Sequence, residues 1–227
     1  MPAHRPVVLV FDVNETLSDL GALRQRFEAV GARADLMPLW FAGVLRDGIA
    51  VTAAGGCAGF MDLARDNLRL LLAGAAVDRD RLEEAVSHVL SGFAELDVHP
   101  DVAEGVRGLR AVGYRLVTMT NGSAGHTEEL LTRAGVRDCF SALLDVAGPG
   151  RWKPHPDAYR YAVERAGVRP AQAMLVATHP WDVDGARRAG LDGAWLRRGT
   201  DPAVYPRSLT APTLIADDTA DLARVLA

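Results

Sequence analysis

The sequence predicts an α/β fold, a doubly wound parallel sheet with an inserted all-helical cap, and three observations carry that prediction. Unbroken apolar runs rich in β-branched residues, VVLVF at 7–11, YRLVTM at 114–119 and AMLVA at 173–177, have the composition of strands buried on both faces. Segments of helical spacing separate the runs after residue 100, which is the βαβ rhythm of a parallel sheet. Between residues 18 and 98 the rhythm stops, and apolar residues recur only at helical intervals.

Taken in order, 7–11 forms the first strand and ends at Asp12. The block 18–98 follows, with the helical sets Leu36, Leu39, Trp40, Val44 and Leu82, Val86, Leu90, Phe93 but no strand run. A helical insertion at this point sits over the carboxyl ends of the strands, where open α/β sheets bind ligands. The expected organisation is a core of residues 1–17 and 99–227 and a cap of residues 18–98. Helices at 102–112, 127–134, 157–166 and 182–189 each stop at a glycine, Gly113, Gly135, Gly167 and Gly190, suited to the left-handed position after a helix. Weaker strand runs fall at 142–146, 193–196 and 213–215.

Composition excludes some functions. The 227 residues are 49% hydrophobic and 24% charged, with a formal charge of −4 and cationic residues scattered along the chain, so no nucleic-acid footprint is present. No run of about 18 apolar residues suggests a membrane span, and the apolar start at 7–10 is too short for a signal core. Cys57 and Cys139 lack metal or redox spacing and read as reduced packing residues, so the expected location is cytoplasmic.

Polar residues at four strand ends are the strongest signal: Asp12 with Thr16, Thr120 to Ser123 in TMTNGS, Lys153 before a proline, and Asp182 in THPWDVDGA. Carboxyl ends of parallel strands converge on one crevice, so these groups can meet although they are distant in sequence. Lys153 is the sole lysine among 25 Lys and Arg residues. A chain that writes arginine everywhere else keeps one compact, flexible ammonium, and a guanidinium fork differs from it in size and geometry. Taken singly the residues have plainer readings: Asp12 and Thr16 as helix caps, His179 as a structural histidine, Trp40, Trp152 and Trp181 as packing.

FDVNETL, TMTNGS, WKPHPDAY and HPWDVDGA, in this order, resemble the four motifs of the haloacid dehalogenase superfamily, and within it the two-domain L-2-haloacid dehalogenase type, over residues 7 to 200. The resemblance implies a Rossmann-like core with a helical cap. It implies a cofactor-free, metal-independent hydrolase that displaces a substituent from a small carboxylic acid through an aspartyl ester, working as a homodimer with no nucleic-acid or membrane partner. In that scheme Asp12 is the nucleophile and Lys153 holds its carboxylate and the substrate's. Thr16, Thr120 and Asn121 donate hydrogen bonds, Asp182 orients Lys153 and helps activate water, and Tyr159 positions. Asn14, His179, Trp40 and Phe41 fall on the substrate side.

The departures are informative. The magnesium-dependent phosphatases of the superfamily carry an acid two residues after the nucleophile, and the dehalogenases an aromatic ring, where this chain has Asn14. At the fourth motif the phosphatases' Gly-Asp pair aligns with Ala177 and Thr178, and a serine and an asparagine of the dehalogenases with Ala177 and His179. The arginine that captures halide in the dehalogenases aligns with Phe41, which leaves Arg24, Arg26 or Arg46 to replace it. Alternatives are the same covalent route with an amine leaving group, as in ring opening of azetidine-2-carboxylate, a phosphatase, and a non-catalytic binding protein on this fold.

Overall fold

A computed structural model describes residues 6–75, 77–198 and 204–227. Six strands form one parallel sheet: β1 (Val8–Phe11), β2 (Arg115–Thr120), β3 (Phe140–Asp145), β4 (Ala173–Ala177), β5 (Asp192–Leu196) and β6 (Leu214–Ala216), in the order β3-β2-β1-β4-β5-β6. All four residues of β1 are fully buried, which is why its sequence is apolar without alternation. The strand order reverses direction between β1 and β4, the switch point at which a doubly wound sheet opens a crevice at its carboxyl edge. Asp12 lies at that edge, its backbone N–H donating to Val176 O at 3.0 Å.

Strand β3 begins two residues before the apolar run that predicts it. Its first pair, Phe140 with Leu116, lies beyond an irregularity in the ladder between Leu116 and Val117, a tertiary feature with no sequence mark. The core helices are α5 (Val102–Ala111), α6 (Ala124–Arg133), α7 (Pro156–Arg165), α8 (Pro180–Arg188) and α9 (Thr219–Leu226). Helix α8 starts two residues earlier than its apolar spacing suggests, because Pro180 supplies a preset φ at a position whose N–H has no helical partner. Gly113 and Gly190 stand at φ of +96° and +90° just beyond α5 and α8, where a side chain would be strained.

Between β1 and β2 lie α1 (Leu23–Ala29), α2 (Leu36–Ala53), α3 (Phe60–Ala73) and α4 (Leu82–Ser91). The chain leaves and re-enters the core through adjacent segments: Asp19 N–H donates to Asp97 O and His99 N–H to Leu17 O, both at 2.9 Å. Helix α2 is 18 residues long with a mean hydropathy of 1.2, enough by length and composition to cross a membrane. It packs against α1 and α3 and buries Met37, Trp40, Phe41 and Val44, and it carries Arg46 and Asp47, as expected of a helix at the centre of the insertion. Trp152, one residue before Lys153, joins the insertion to the core. Its ring stacks on Phe60 with centroids 6.1 Å apart, its backbone N–H donates to Thr52 Oγ1 at 3.0 Å, and its Nε1 to Ala58 O at 2.9 Å. Burying a side chain of that size stabilises the contact by about 2–3 kcal/mol.

Candidate active site

The loop after β1 folds back on itself, with the N–H groups of Thr16, Leu17 and Ser18 all donating to Val13 O. The fold-back holds Glu15 at φ +61°, a left-handed conformation otherwise found only at glycines among the described residues. It turns the Thr16 hydroxyl onto Asp12, where Thr16 Oγ1 donates to Asp12 Oδ2 at 2.7 Å while accepting Thr178 N–H at 3.1 Å. The backbone of Lys153 is held by Asn121, whose Oδ1 accepts Lys153 N–H at 2.8 Å and whose Nδ2 donates to Lys153 O at 3.2 Å.

From that anchor the ammonium lies between two carboxylates. Lys153 Nζ donates to Asp12 Oδ1 at 2.8 Å and to Asp182 Oδ2 at 2.6 Å. Asp182 sits in the first turn of α8, where the helix dipole favours negative charge, and its Oδ1 accepts Tyr159 Oη at 2.6 Å. Lys153, Asp182 and Tyr159 are fully buried and Asp12 is 4% exposed. An ammonium has three protons, and two are taken here.

Electrostatics separates the two carboxylates. Burial pushes Asp12 upward, but the charges of Lys153 and His179 and the hydrogen bonds from Lys153 and Thr16 outweigh it and hold the group below the usual carboxylate range. Burial pushes Asp182 above that range, Lys153 opposing and the Asp12 charge reinforcing the rise. Burial would lower Lys153, but its two carboxylate partners outweigh it and keep the ammonium protonated. Asp12 is therefore the partly accessible carboxylate of the pair, and Asp182 the buried one on the far side of Lys153.

Two openings flank Asp12. On one side Val13, Asn14, Phe60, Thr120 and Leu130 line a largely apolar pocket of about 30 Å³. On the other, Glu15, Arg24, His99, Thr178, His179 and Arg198 place polar groups on a wider cavity of about 900 Å³ that Leu20, Met37 and Trp195 also line. His179 Nε2 lies 3.5 Å from Glu15 Oε2 and 4.0 Å from Asp12 Oδ2. Burial raises the Glu15 carboxyl, the Asp12 charge adding to the effect and His179 and Arg24 opposing it.

Asp12, Thr16, Lys153 and Asp182 thus converge, and Asn14, Thr120 and His179 border the space in front of Asp12. Asn121 spends its Oδ1 and one of its two Nδ2 protons on the Lys153 backbone, clamping that residue and keeping one Nδ2 proton uncommitted. Three expectations need correction. Tyr159 lies behind Asp182 without solvent exposure and touches the carboxylate rather than the substrate space. Trp40 is 1% exposed, packs against Phe27, Phe41 and Phe93, and donates its Nε1 to Ala64 O, so it belongs to the interior of the insertion. Cys57 is exposed and has no packing role, whereas Cys139 is buried. Phe41 reaches the site edge, with its ring centroid 6.3 Å from that of His179.

Of the three arginines considered for the missing cation, Arg24 lines the wider cavity; Arg26 pairs with Glu95 and Arg46 with Asp47. Sequence reasoning missed Glu15 and Arg198. Arg198 donates Nε to Thr16 O at 2.9 Å and forks onto both oxygens of Asp101 at 2.7 and 2.9 Å, bracing the loop that carries Thr16. No local pattern marks either residue, since their partners lie up to 182 positions away in the chain.

A family model for haloacid dehalogenase-like hydrolases matches residues 7–190. The (S)-2-haloacid dehalogenase 4A of Burkholderia cepacia is 28% identical over 199 residues, covering 86% of this chain and 85% of the relative. A glyceraldehyde 3-phosphate phosphatase of Methanopyrus kandleri is 34% identical over 117 residues, covering 51% of this chain and 50% of its own. The structure of L-2-haloacid dehalogenase from Xanthobacter autotrophicus with chloropropionic acid covalently bound superposes with a TM-score of 0.85 at 23% identity, over 97% of this chain and 98% of that one, a likeness of fold.

Proposed function

The chain belongs to the haloacid dehalogenase-like hydrolases, and from that premise we propose that it is of the (S)-2-haloacid dehalogenase type, displacing a substituent from C2 of a small carboxylic acid through an ester on Asp12. The observation that carries this reading is the buried ammonium of Lys153 shared by Asp12 and Asp182 at 2.8 and 2.6 Å. An Asp12 oxygen attacks C2, the leaving group departs with the bonding electrons, and the ester forms. The remaining proton of Lys153 Nζ holds the substrate's carboxylate, and the apolar pocket beside Val13 and Phe60 takes a short alkyl group. Arg24 is the cation that the wider cavity offers a departing halide in place of the arginine that Phe41 replaces. Water then cleaves the ester between the carbonyl carbon and the substrate oxygen, and a 2-hydroxy acid leaves. The Burkholderia cepacia relative, matched along most of both chains, supports the same substrate class.

The magnesium-phosphatase alternative asks for a hard cation held by carboxylate oxygens. The residues present do not fit it: position 14 is an asparagine, and Thr178 turns its hydroxyl to Leu196 O. The two carboxylates that would hold the cation already share one ammonium. A single-turnover reaction in ¹⁸O-labelled water with 2-chloropropionate and, separately, azetidine-2-carboxylate tests the proposal by mass spectrometry of the Asp12 peptide. Label in Asp12, loss of at least about a thousandfold of turnover in Asp12→Asn and indifference to EDTA are expected. Unlabelled Asp12 with both substrates, or magnesium-restored hydrolysis of p-nitrophenyl phosphate, refutes it.

A further inference from the structure

The backbone that delivers the Lys153 ammonium is held from two sides. Asn121 takes the N–H and C=O of Lys153 from the core, whereas Trp152, one residue earlier, is held by the insertion. The Trp152 N–H donates to Thr52 Oγ1 at 3.0 Å and its Nε1 to Ala58 O at 2.9 Å. Its ring has no exposed surface and lies against α2 at Gly48, where a Cβ would fall 2.6 Å from Trp152 Cδ2. The opposite contact is Phe60, whose ring stacks on the indole with planes 18° apart and which also lines the apolar pocket beside Asp12. Arg151 Nη1 donates to Gly56 O at 3.4 Å, so both residues before the lysine are tied to the stretch 52–60. A contact that served adhesion alone could sit anywhere along the boundary between insertion and core. This one adjoins the lysine and shares Phe60 with the pocket wall.

We propose that Trp152 is a positioning residue that ties the seating of the insertion to the placement of the Lys153 ammonium. This role presupposes the covalent reading above. With the insertion seated, Phe60 closes the pocket and the indole fixes the backbone before Lys153, so Nζ reaches Asp12 at 2.8 Å and Asp182 at 2.6 Å. An insertion drawn back takes Phe60 and the indole with it and leaves Asn121 to hold the lysine. The pocket wall and the ammonium are then lost together, and Asp12 does not attack a substrate that is only half enclosed. The tolerance is narrow, since a displacement of about 1 Å at a reacting centre can lower a rate about 100-fold.

Trp152→Leu removes the stack and the indole bond, Trp152→Phe keeps a ring against Phe60, and Gly48→Ala displaces the indole from within the insertion. In single turnover with saturating 2-chloropropionate, chloride release is expected to slow by about 100-fold in Trp152→Leu and by smaller factors in the other two. The acid limb of kcat/KM is a readout that packing alone would not move. Lys153, His179 and Thr16 oppose burial to lower Asp12, and Glu15 and Asp182 are the other charged groups around it. An ammonium drawn away from Asp12 lets the carboxyl rise, so the limb is expected at higher pH in all three variants. Phe27→Leu, which trims a buried ring elsewhere in the insertion, is expected to lower the urea midpoint and leave the limb in place. An unmoved limb in Trp152→Phe and Gly48→Ala proteins that circular dichroism shows folded overturns the assignment, and these two decide it if Trp152→Leu does not fold. Wild-type protein that takes no ¹⁸O label into Asp12 with either substrate overturns the covalent reading whatever the limb does, which separates the two failures.

Discussion

Lys153 illustrates how one side chain can be legible in composition and still depend on its surroundings for a role. Burying an ammonium costs several kcal/mol, and only partners of opposite charge with good geometry offset it. Here two carboxylates approach within 2.8 Å in a slot that leaves the residue no exposed surface. A guanidinium is planar and larger, and it cannot enter that slot without displacing Asp12 or Asp182. Lys153→Arg is expected to lower kcat about 100-fold or more although the charge is kept, measured as product release under saturating 2-chloropropionate. A wild-type rate would make the lysine incidental. Asp12, Thr16, Lys153 and Asp182 were readable because each follows a buried run or sits in a short motif. Asn121 and Tyr159 were identified as site residues in the sequence, but what they touch was not, since their partners are Lys153, 32 positions from Asn121, and Asp182, 23 from Tyr159.

At the level of elements, α7 and α8 must lie close enough for Tyr159 to reach Asp182. Gly185 on α8 permits this: a Cβ there would fall 2.5 Å from Tyr159 Oη and 2.7 Å from Pro154 Cβ. Gly185→Ala is therefore expected to destabilise the protein by about 1–3 kcal/mol, the usual cost of overpacking, read from the urea midpoint. It should also lower kcat, because a displaced Tyr159 releases Asp182 and with it Lys153. An alanine variant with unchanged midpoint and unchanged kcat would show that the contact relaxes freely. The helices themselves were visible in apolar spacing and closing glycines. Their separation was not, because a small residue inside a helix is a sequence-level oddity whose reason lies in the neighbouring helix.

Across the whole molecule, Asp101 joins three elements: Arg198 after β5 forks onto its carboxylate, and Thr219 N–H at the start of α9 donates to it at 2.8 Å. Although partial burial pushes the group up, the hydrogen bonds from Arg198 and Thr219 and the Arg198 charge prevail and bring it down to about 2. A carboxyl lowered on folding binds more protons when unfolded, so its contribution is complete above the ordinary value of about 4 and fades as pH falls through about 2. The difference in Tm between wild type and Asp101→Asn is expected to be largest above pH 5 and to shrink between about pH 4 and pH 2. A difference that is flat across that range would refute the linkage. The same acid side weakens the centre of the site, since Asp12 is also held below its ordinary value.

The sequence by itself determined the sheet, its buried central strand, the helical insertion and the residues that meet at the carboxyl edge. These follow from local periodicity, from caps, and from the rule that parallel strands point their ends into one crevice. Tertiary structure alone decided which of those residues face open space. It placed Asp182 out of reach of solvent and Trp40 inside the insertion, and it brought Glu15 and His179, 164 positions apart, to within 3.5 Å. Burial and distance between remote segments depend on packing across the sheet and across the insertion, and that packing leaves no period in the chain.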